Sequence, residues 1–162
     1  MESELKSMFE SLELTEYDLE NGEYPFEPAI DSGRILPGYY VCTIDGSFWS
    51  TKRNHLKIVT PCGPASGYLS VYPRLDGATL TLQLHRIVAE TLISFPRPKT
   101  ISESDWALTP ESVKAVVKLG YLVHHIDHDK HNFHPSNLEW VTAKENSQYS
   151  VINQRNLKME GN

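Results

Sequence analysis

The sequence predicts an α+β fold, in which an antiparallel, β-rich basic N-terminal region with helices precedes a strand, loop, strand and helix unit. Three observations predict this class. Apolar and aromatic runs flank Asp-Gly dipeptides at 45–46 and 76–77, which are typical of hairpin turns. Helical spacing of apolar residues returns directly afterwards, over 84–92. Five of the seven histidines then fall within 124–134, between two short apolar runs.

Charge is distributed unevenly along the 162 residues, although the net charge is only -6. Residues 1–32 hold ten acidic residues and one lysine, and we call this segment the acidic N-terminal arm. Residues 33–99 hold eight basic and three acidic residues. A basic region of this kind can bind a phosphate backbone whatever the average charge of the chain.

Four segments follow from these patterns. The acidic N-terminal arm is expected to form a short helix over 5–12 and then a loop or extended segment. Residues 33–99 form a basic β-sheet region with a helix, which stops at a proline-containing stretch. Residues 100–120 are a helical insert with one helix, and residues 121–162 form the histidine-rich unit and a C-terminal helix.

The composition argues against an exported or membrane-bound protein. No apolar run approaches the roughly 20 residues of a spanning helix, and the first residues lack the pattern of a signal peptide. The two cysteines, Cys42 and Cys62, form no C-x-x-C pair, which disfavours both a zinc module and a disulfide scaffold. We therefore expect a cytoplasmic protein with no membrane partner.

The histidine-rich unit has a defined local pattern. Residues 121–126 and 138–142 are predicted strands, joined by a ten-residue loop that is mostly polar. Thr142 and Glu145 match the capping box S/T-x-x-E, which opens a helix. Asn146 occupies the fourth helical position, where an apolar residue would complete a hydrophobic staple. A polar side chain there needs a partner, and an imidazole at the strand end can share one cation with it.

Three runs of this unit resemble the HNH nuclease motif, also called the ββα-metal or His-Me finger. They are V-H-H-I-D ending at Asp127, N-L-E-W-V-T starting at Asn137, and K-E-N ending at Asn146. The upstream run L-H-R-I-V-A-E-T-L-I is similar to HNH homing endonucleases of phages and their introns. The resemblance implies that residues 121–162 contain a ββα-metal HNH motif, preceded by a DNA-binding sheet.

The resemblance also implies roles for individual residues. His125 corresponds to the general base that deprotonates the attacking water, and His124 and Asn146 correspond to the two protein ligands of a metal. Asn137 and Asp127 correspond to structural positions of the motif. The chain departs from many relatives in the loop, where D-G-N is replaced by Asp-His-Asp over 127–129.

The chemistry that these residues imply is metal-dependent hydrolysis of a phosphodiester bond. An imidazole with an unperturbed pKa near 6.5 accepts a proton from water at neutral pH. We expect one divalent metal ion as cofactor, with Mg²⁺ or Mn²⁺ favoured by oxygen ligands and Zn²⁺ or Ni²⁺ left open by the imidazole. The resulting prediction is a homing-type HNH endonuclease. A broadly acting HNH nuclease in phage DNA processing or competition, and a non-catalytic binding module, remain alternatives.

Double-stranded DNA is the expected partner, because basic and aromatic residues alternate along the predicted hairpins. The acidic N-terminal arm is either a solvated tail or a regulatory segment that competes with DNA or binds a basic protein. For His85, which begins the helix after the sheet, we expect a structural role. The candidate DNA-binding residues are Trp49, Lys52, Arg53, Lys57, Arg74, Arg86 and Lys144.

Overall fold

The computed structural model describes residues 2–160, with side chains described for Glu4 and for 6–153. It confirms the predicted α+β class, because helices accompany antiparallel strand pairs. The described chain divides into two compact units. The first unit contains the residues up to Ser94 together with His125–Leu138, and the second contains Phe95–His124 together with the residues from Glu139 onward.

A four-stranded antiparallel sheet in the order β1, β2, β3, β4 forms the centre of the first unit. Strand β5 pairs with β8, and β6 pairs with β7. Helix α3 contacts β1 and buries Ile87, Val88 and Ala89 completely. The elements are α1 (Glu2–Ser11), α2 (Glu16–Asn21), β1 (Phe26–Asp31), β2 (Arg34–Cys42), β3 (Phe48–Ser50), β4 (Lys57–Ile58), β5 (Ser70–Val71), β6 (Arg74–Leu75), β7 (Ala78–Thr79), β8 (Leu82–Gln83) and α3 (Leu84–Leu92).

The predicted hairpin at 76–77 is confirmed in detail. Asp76 and Gly77 both have positive φ angles, of 50° and 80°, and Leu75 pairs with Ala78 on either side of them. A two-residue loop with positive φ at both positions matches the right-handed twist of the strands it joins. The turn near 45–46 also connects antiparallel strands, β2 and β3, through a longer loop.

The segment after the first helix, predicted to be a loop or extended segment, contains the short helix α2 and the extended strand β1. Thr15 and Asp18 form a reciprocal capping box that starts α2, and β1 pairs along β2. Phe26 is buried in β1 and contacts Phe9 of α1, with ring centroids 5.0 Å apart. The acidic N-terminal arm is therefore part of the folded first unit, because its apolar residues supply core contacts; the side chain of Leu5 lies outside the described residues.

The second unit contains two short helices where the sequence predicts one, and then the paired strands of the histidine-rich unit. Trp140 lies at its centre, with its ring 5.7 Å from Phe95 and the Lys118 ammonium 4.8 Å above it. No helix in the described part of the chain has both the length and the apolar character needed to cross a bilayer. The elements are α4 (Glu103–Leu108), α5 (Glu111–Lys118), β9 (Tyr121–His125), β10 (Leu138–Thr142) and α6 (Ala143–Glu160); the last residue of β9 and the first of β10 belong to the first unit.

Candidate active site

His125, the predicted general base, ends β9 and is buried in the first unit, with 4% of its surface exposed. Its imidazole lies in a cluster of three rings. The centroid of the His85 ring is 5.0 Å away, and that of Tyr68 is 5.8 Å away and nearly parallel. Tyr68 is 38% exposed, so this cluster reaches the surface of the unit through the tyrosine.

His85 is the second residue of α3 and is 5% exposed. Its ring stacks on Tyr68 with a centroid separation of 4.5 Å. Burial is the main cause that lowers the pKa of His85 to about 3, and the nearby His125 and Arg86 lower it further. The imidazole is therefore neutral at neutral pH and adds no positive charge beside His125.

The buried His85 makes the stability of the fold dependent on pH. Between pH 6.5 and about 3 the unfolded chain binds a proton at this residue that the folded chain does not. The free energy of unfolding should therefore fall as pH is lowered, with a contribution of about 2 kcal/mol between pH 7 and pH 5. Urea unfolding of the natural protein and of His85→Phe at both pH values measures it. Between pH 7 and pH 5, we expect the free energy of unfolding of the variant to fall by about 2 kcal/mol less than that of the natural protein. Equal falls in the two proteins would contradict the neutral state of His85.

Asn137 fixes the loop that follows His125. Its side-chain amide donates to the Asp127 carboxylate at 2.9 Å and to the Asn132 carbonyl at 2.9 Å, and its amide oxygen accepts from the Asp127 backbone at 3.1 Å. Its backbone carbonyl also accepts from the Ile126 N–H. This buried side chain therefore holds both ends of the loop.

Asp127 is the acceptor at the centre of the same network. Burial alone would raise its pKa, but hydrogen bonds from Asn132, Asn137 and the Asp129 backbone outweigh it, so the pKa of Asp127 lies below its usual value. His128 follows with a φ of 65°, which glycine adopts without strain and which asparagine and histidine tolerate better than most residues. The loop thus has a left-handed position at His128.

Replacing Asn137 with alanine should destabilise the protein by about 2–4 kcal/mol, because it leaves the partners of one buried amide without their hydrogen bonds. Urea unfolding at pH 7 measures the loss. Ser136→Ala, at the exposed neighbouring position, is the matched control and should cost less than about 1 kcal/mol. Equal effects of the two substitutions would contradict the structural role of Asn137.

The start of α6 follows the predicted capping box in the second unit. The Glu145 carboxylate accepts from the Thr142 backbone at 2.9 Å, and the Thr142 hydroxyl accepts from the Glu145 backbone at 3.2 Å. Lys99 lies 2.8 Å from the same carboxylate. These hydrogen bonds, from Lys99 first and then from Thr142, lower the pKa of Glu145 to about 2. The first turn of α6, which contains Asn146, is thus firmly anchored.

His124, the predicted metal ligand on β9, contacts α6 in the second unit. Its ring stacks on Tyr149 with centroids 4.6 Å apart and planes 17° from parallel. Tyr149 and Asn146 are three residues apart on the same helix, and residues at this spacing are neighbours on one helical face. The structure therefore places His124 against the face of α6 that bears Asn146, the other predicted ligand.

The other histidines of the loop bind backbone and side-chain groups nearby. His131 lies 3.2 Å from the Pro64 carbonyl, and His134 lies 2.8 Å from the Ser136 hydroxyl. The described residues contain no group of three histidine, cysteine, aspartate or glutamate side chains placed to hold a metal.

The predicted DNA-binding residues need one correction. Trp49 is 1% exposed, because its indole lies in the core against Phe26 and donates to the Ser47 hydroxyl at 2.7 Å. It was predicted at the surface because tryptophan among basic residues is typical of nucleic-acid interfaces, but here its apolar area completes the core. Arg86 is half-buried beside Glu90, and the remaining candidates are exposed: Lys52, Arg53, Lys57, Arg74 and Lys144.

The chain is similar to known HNH endonucleases. Residues 117–148 match the family model described as HNH endonuclease, and this segment contains His124, His125, Asn137 and Asn146. An uncharacterized HNH endonuclease of Acanthamoeba polyphaga mimivirus is 30% identical over 107 residues, which are 66% of this chain and 26% of that protein. The solved HNH homing endonuclease I-HmuI is 25% identical, with a TM-score of 0.50 over 73% of this chain and 54% of that one.

Residues 117–148 thus resemble an HNH endonuclease unit, and the resemblance found in the sequence is confirmed. The chain spans about a quarter of the mimiviral relative and about half of I-HmuI, an HNH homing endonuclease that binds and cleaves DNA.

Sequence reasoning did not identify His85 as a neighbour of His125. The two residues are 40 positions apart, so only the fold brings them together. One pattern pointed to burial: His85 lies between Leu84 and Ile87 on the apolar side of α3, where a polar residue is unexpected.

Proposed function

We propose that this protein is a metal-dependent DNA endonuclease of the HNH homing type, with His125 as the general base. One observation carries the proposal. The segment that matches the HNH endonuclease family contains a buried histidine next to a histidine stacked against the helix that bears Asn146. His124 and His125 are consecutive residues of the chain, so their Cα atoms are about 3.8 Å apart.

The donor atoms of His124 and Asn146 suit a single divalent cation. An imidazole nitrogen and an amide oxygen bring no negative charge, which leaves the positive field of the ion available to phosphate. Mg²⁺ and Mn²⁺ prefer such sites when substrate oxygens and water complete the coordination, whereas Zn²⁺ and Ni²⁺ also accept imidazole. When bound, the cation supplies positive charge that stabilises the phosphate and the leaving oxygen.

The residues of the chain itself supply the proton transfer. His125 accepts a proton from the water molecule that attacks phosphorus, and the bond between phosphorus and the 3′ oxygen breaks. The products carry a 5′ phosphate and a 3′ hydroxyl. The neutral His85 beside His125 adds no positive charge to its ring.

Double-stranded DNA is the proposed substrate. In the first unit, Lys52 and Arg53 are exposed in the loop after β3, and the Lys52 ammonium lies 5.8 Å from the centre of the Tyr39 ring. Paired neighbouring cations at the surface can bind consecutive phosphates. A regulatory role of the acidic N-terminal arm is not part of this proposal, because that segment contributes Phe9 and Phe26 to the core.

Neutralising both residues, as Lys52→Gln with Arg53→Gln, should weaken DNA binding and lower the slope of log K against log salt concentration by about 1–2. Titration of a fluorescent duplex at four salt concentrations measures the slope. The exchange Lys52→Arg with Arg53→Lys keeps both charges and should keep the slope. A slope that does not change in the neutral variant would place the DNA on another surface.

A cleavage assay tests the nuclease proposal itself. Supercoiled plasmid is incubated with the protein in Mg²⁺, Mn²⁺ or EDTA, and the ends of the products are identified by ligation. We expect nicked or linear DNA with 5′ phosphates in the presence of a divalent ion, and intact plasmid in EDTA. Cleavage that continues in EDTA would remove the metal from the proposal, and intact plasmid with every ion would remove the nuclease.

The similarity to I-HmuI favours the homing type over a broadly acting nuclease. Sequencing the cut ends from a library of random DNA distinguishes the two. A homing enzyme yields cuts concentrated at a few long related sites, whereas a broadly acting nuclease yields cuts spread over the library. The proposed compartment is the cytoplasm, where reducing conditions keep thiols such as Cys42 and Cys62 unpaired.

A further inference from the structure

His85 has a polar atom that its surroundings do not satisfy. Its Nδ1 atom is fully buried and has no hydrogen-bond partner among the described residues. The side chain is about nineteen-twentieths buried, and its ring lies against the rings of both Tyr68 and His125. A buried polar atom without a partner costs about 1–3 kcal/mol, so its presence needs an explanation.

Packing alone does not explain a histidine at this position. Helix α3 also buries Leu84, Ile87, Val88 and Ala89 completely, so the fully buried neighbours of His85 on this helix are apolar. A phenylalanine has a ring of similar shape and no buried nitrogen. It would stack on Tyr68 without the desolvation cost that His85 incurs. A residue that lowers stability relative to an apolar substitute, and lies beside the proposed base, is typical of a functional position.

We propose that His85 is a positioning residue for His125 in the nuclease reaction. Helix α3, whose Ile87, Val88 and Ala89 are fully buried, holds the His85 ring 5.0 Å from the His125 ring, with an angle of 51° between the ring planes. Its neutral imidazole provides one nitrogen that donates and one that accepts a hydrogen bond. The buried Nδ1 atom supplies a polar contact that orients the His125 ring, or the water molecule it deprotonates, once DNA is bound. This inference rests on the proposed function.

Two substitutions separate positioning from packing. His85→Phe keeps the ring and removes both nitrogens, whereas His85→Asn loses the ring but places a polar atom near the position of Nδ1. If His85 only packs, activity follows stability, and the phenylalanine variant is at least as active as the natural protein. If His85 positions the base, His85→Phe is the more stable of the two variants and the less active one.

The experiment measures kcat and KM for cleavage of a duplex in Mg²⁺ or Mn²⁺, together with the thermal unfolding midpoint of each protein at pH 7. We expect His85→Phe to unfold at the same or a higher temperature, with kcat lowered about tenfold or more and KM within about twofold. His85→Asn should be less stable, yet should cleave at least about threefold faster than His85→Phe.

Three results would overturn the inference. A phenylalanine variant with unchanged kcat would show that the nitrogens do not act in the reaction, and a change in KM alone would assign His85 to DNA binding. A lower unfolding midpoint for His85→Phe would show that the nitrogens stabilise the fold. If the natural protein cleaves no DNA with either metal while binding it normally, the proposed function fails, and this inference fails with it.

Discussion

Replacing His125 with alanine is expected to lower the rate constant of DNA cleavage by about 10²- to 10⁴-fold, which is the usual contribution of a general base. Water is a poor nucleophile at neutral pH, and without the imidazole no side chain at this position takes its proton. DNA affinity should stay within about twofold, because the buried His125 contributes no exposed charge to the DNA-binding surface. Single-turnover cleavage of a labelled duplex in Mg²⁺ or Mn²⁺ measures the rate constant, and titration of the same duplex measures affinity.

The variant needs controls for folding, since His125 packs against Tyr68 and His85. His125→Asn fills more of the space than alanine and should be similarly inactive, with thermal unfolding recorded for both proteins. His128→Asn removes an exposed histidine three residues later and retains a residue type that tolerates a φ of 65°. Its cleavage rate should stay within about threefold of the natural protein. A folded His125 variant that cleaves at the natural rate would exclude His125 as the base.

Substituting alanine for Asn146 should reduce cleavage at low metal concentration by about 10²-fold or more, because the cation loses one of its two protein ligands. Part of the activity should return at high Mn²⁺ concentration, since the loss is one of metal affinity. Alanine is the best helix former, so α6 should remain intact. Cleavage as a function of Mg²⁺ and Mn²⁺ concentration measures the effect.

Gln148→Ala is the matched control for this substitution. Gln148 is exposed on the same helix, two residues from Asn146 and therefore on a different face. Its metal dependence should equal that of the natural protein. If Asn146→Ala cleaves with an unchanged metal requirement, the ion is held by other residues.

Features set by a few neighbouring residues could be predicted from the sequence. The turn at Asp76 and Gly77 follows from the tolerance of both residues for positive φ. The start of α6 follows from the reciprocal hydrogen bonds of Thr142 and Glu145. The order strand, loop, strand, helix in the histidine-rich unit could therefore be derived without tertiary information.

Features that depend on long-range contacts could not be predicted. Strand β1 contains proline and two carboxylates among its six residues, and it forms because Phe26 and Ala29 are buried against distant elements. Trp49 has the same local pattern whether it faces solvent or the core. Its burial follows from Phe26 and Phe9, which precede it by more than 20 residues.

The capping box of Thr15 and Asp18 is a local signal that was missed because it uses aspartate in place of glutamate.

The candidate site also combines features that the sequence predicts with features that only the structure shows. The motif in the sequence implied His124, His125, Asn137 and Asn146, and the structure adds the neighbours of each. The stacking of His124 on Tyr149 and the loop network of Asn137 lie within the matched segment or directly beside it. His85 lies outside that segment, so only the contact between its ring and the His125 ring reveals it.

The most direct measurement is a crystal structure of His125→Ala bound to a DNA duplex and Mn²⁺, with anomalous scattering used to locate the metal. We expect one anomalous peak at bonding distance, about 2.0–2.3 Å, from a ring nitrogen of His124, the amide oxygen of Asn146 and a phosphate oxygen of the DNA. A peak held by other side chains, or His124 and Asn146 facing away from the bound phosphate, would contradict the proposed active site.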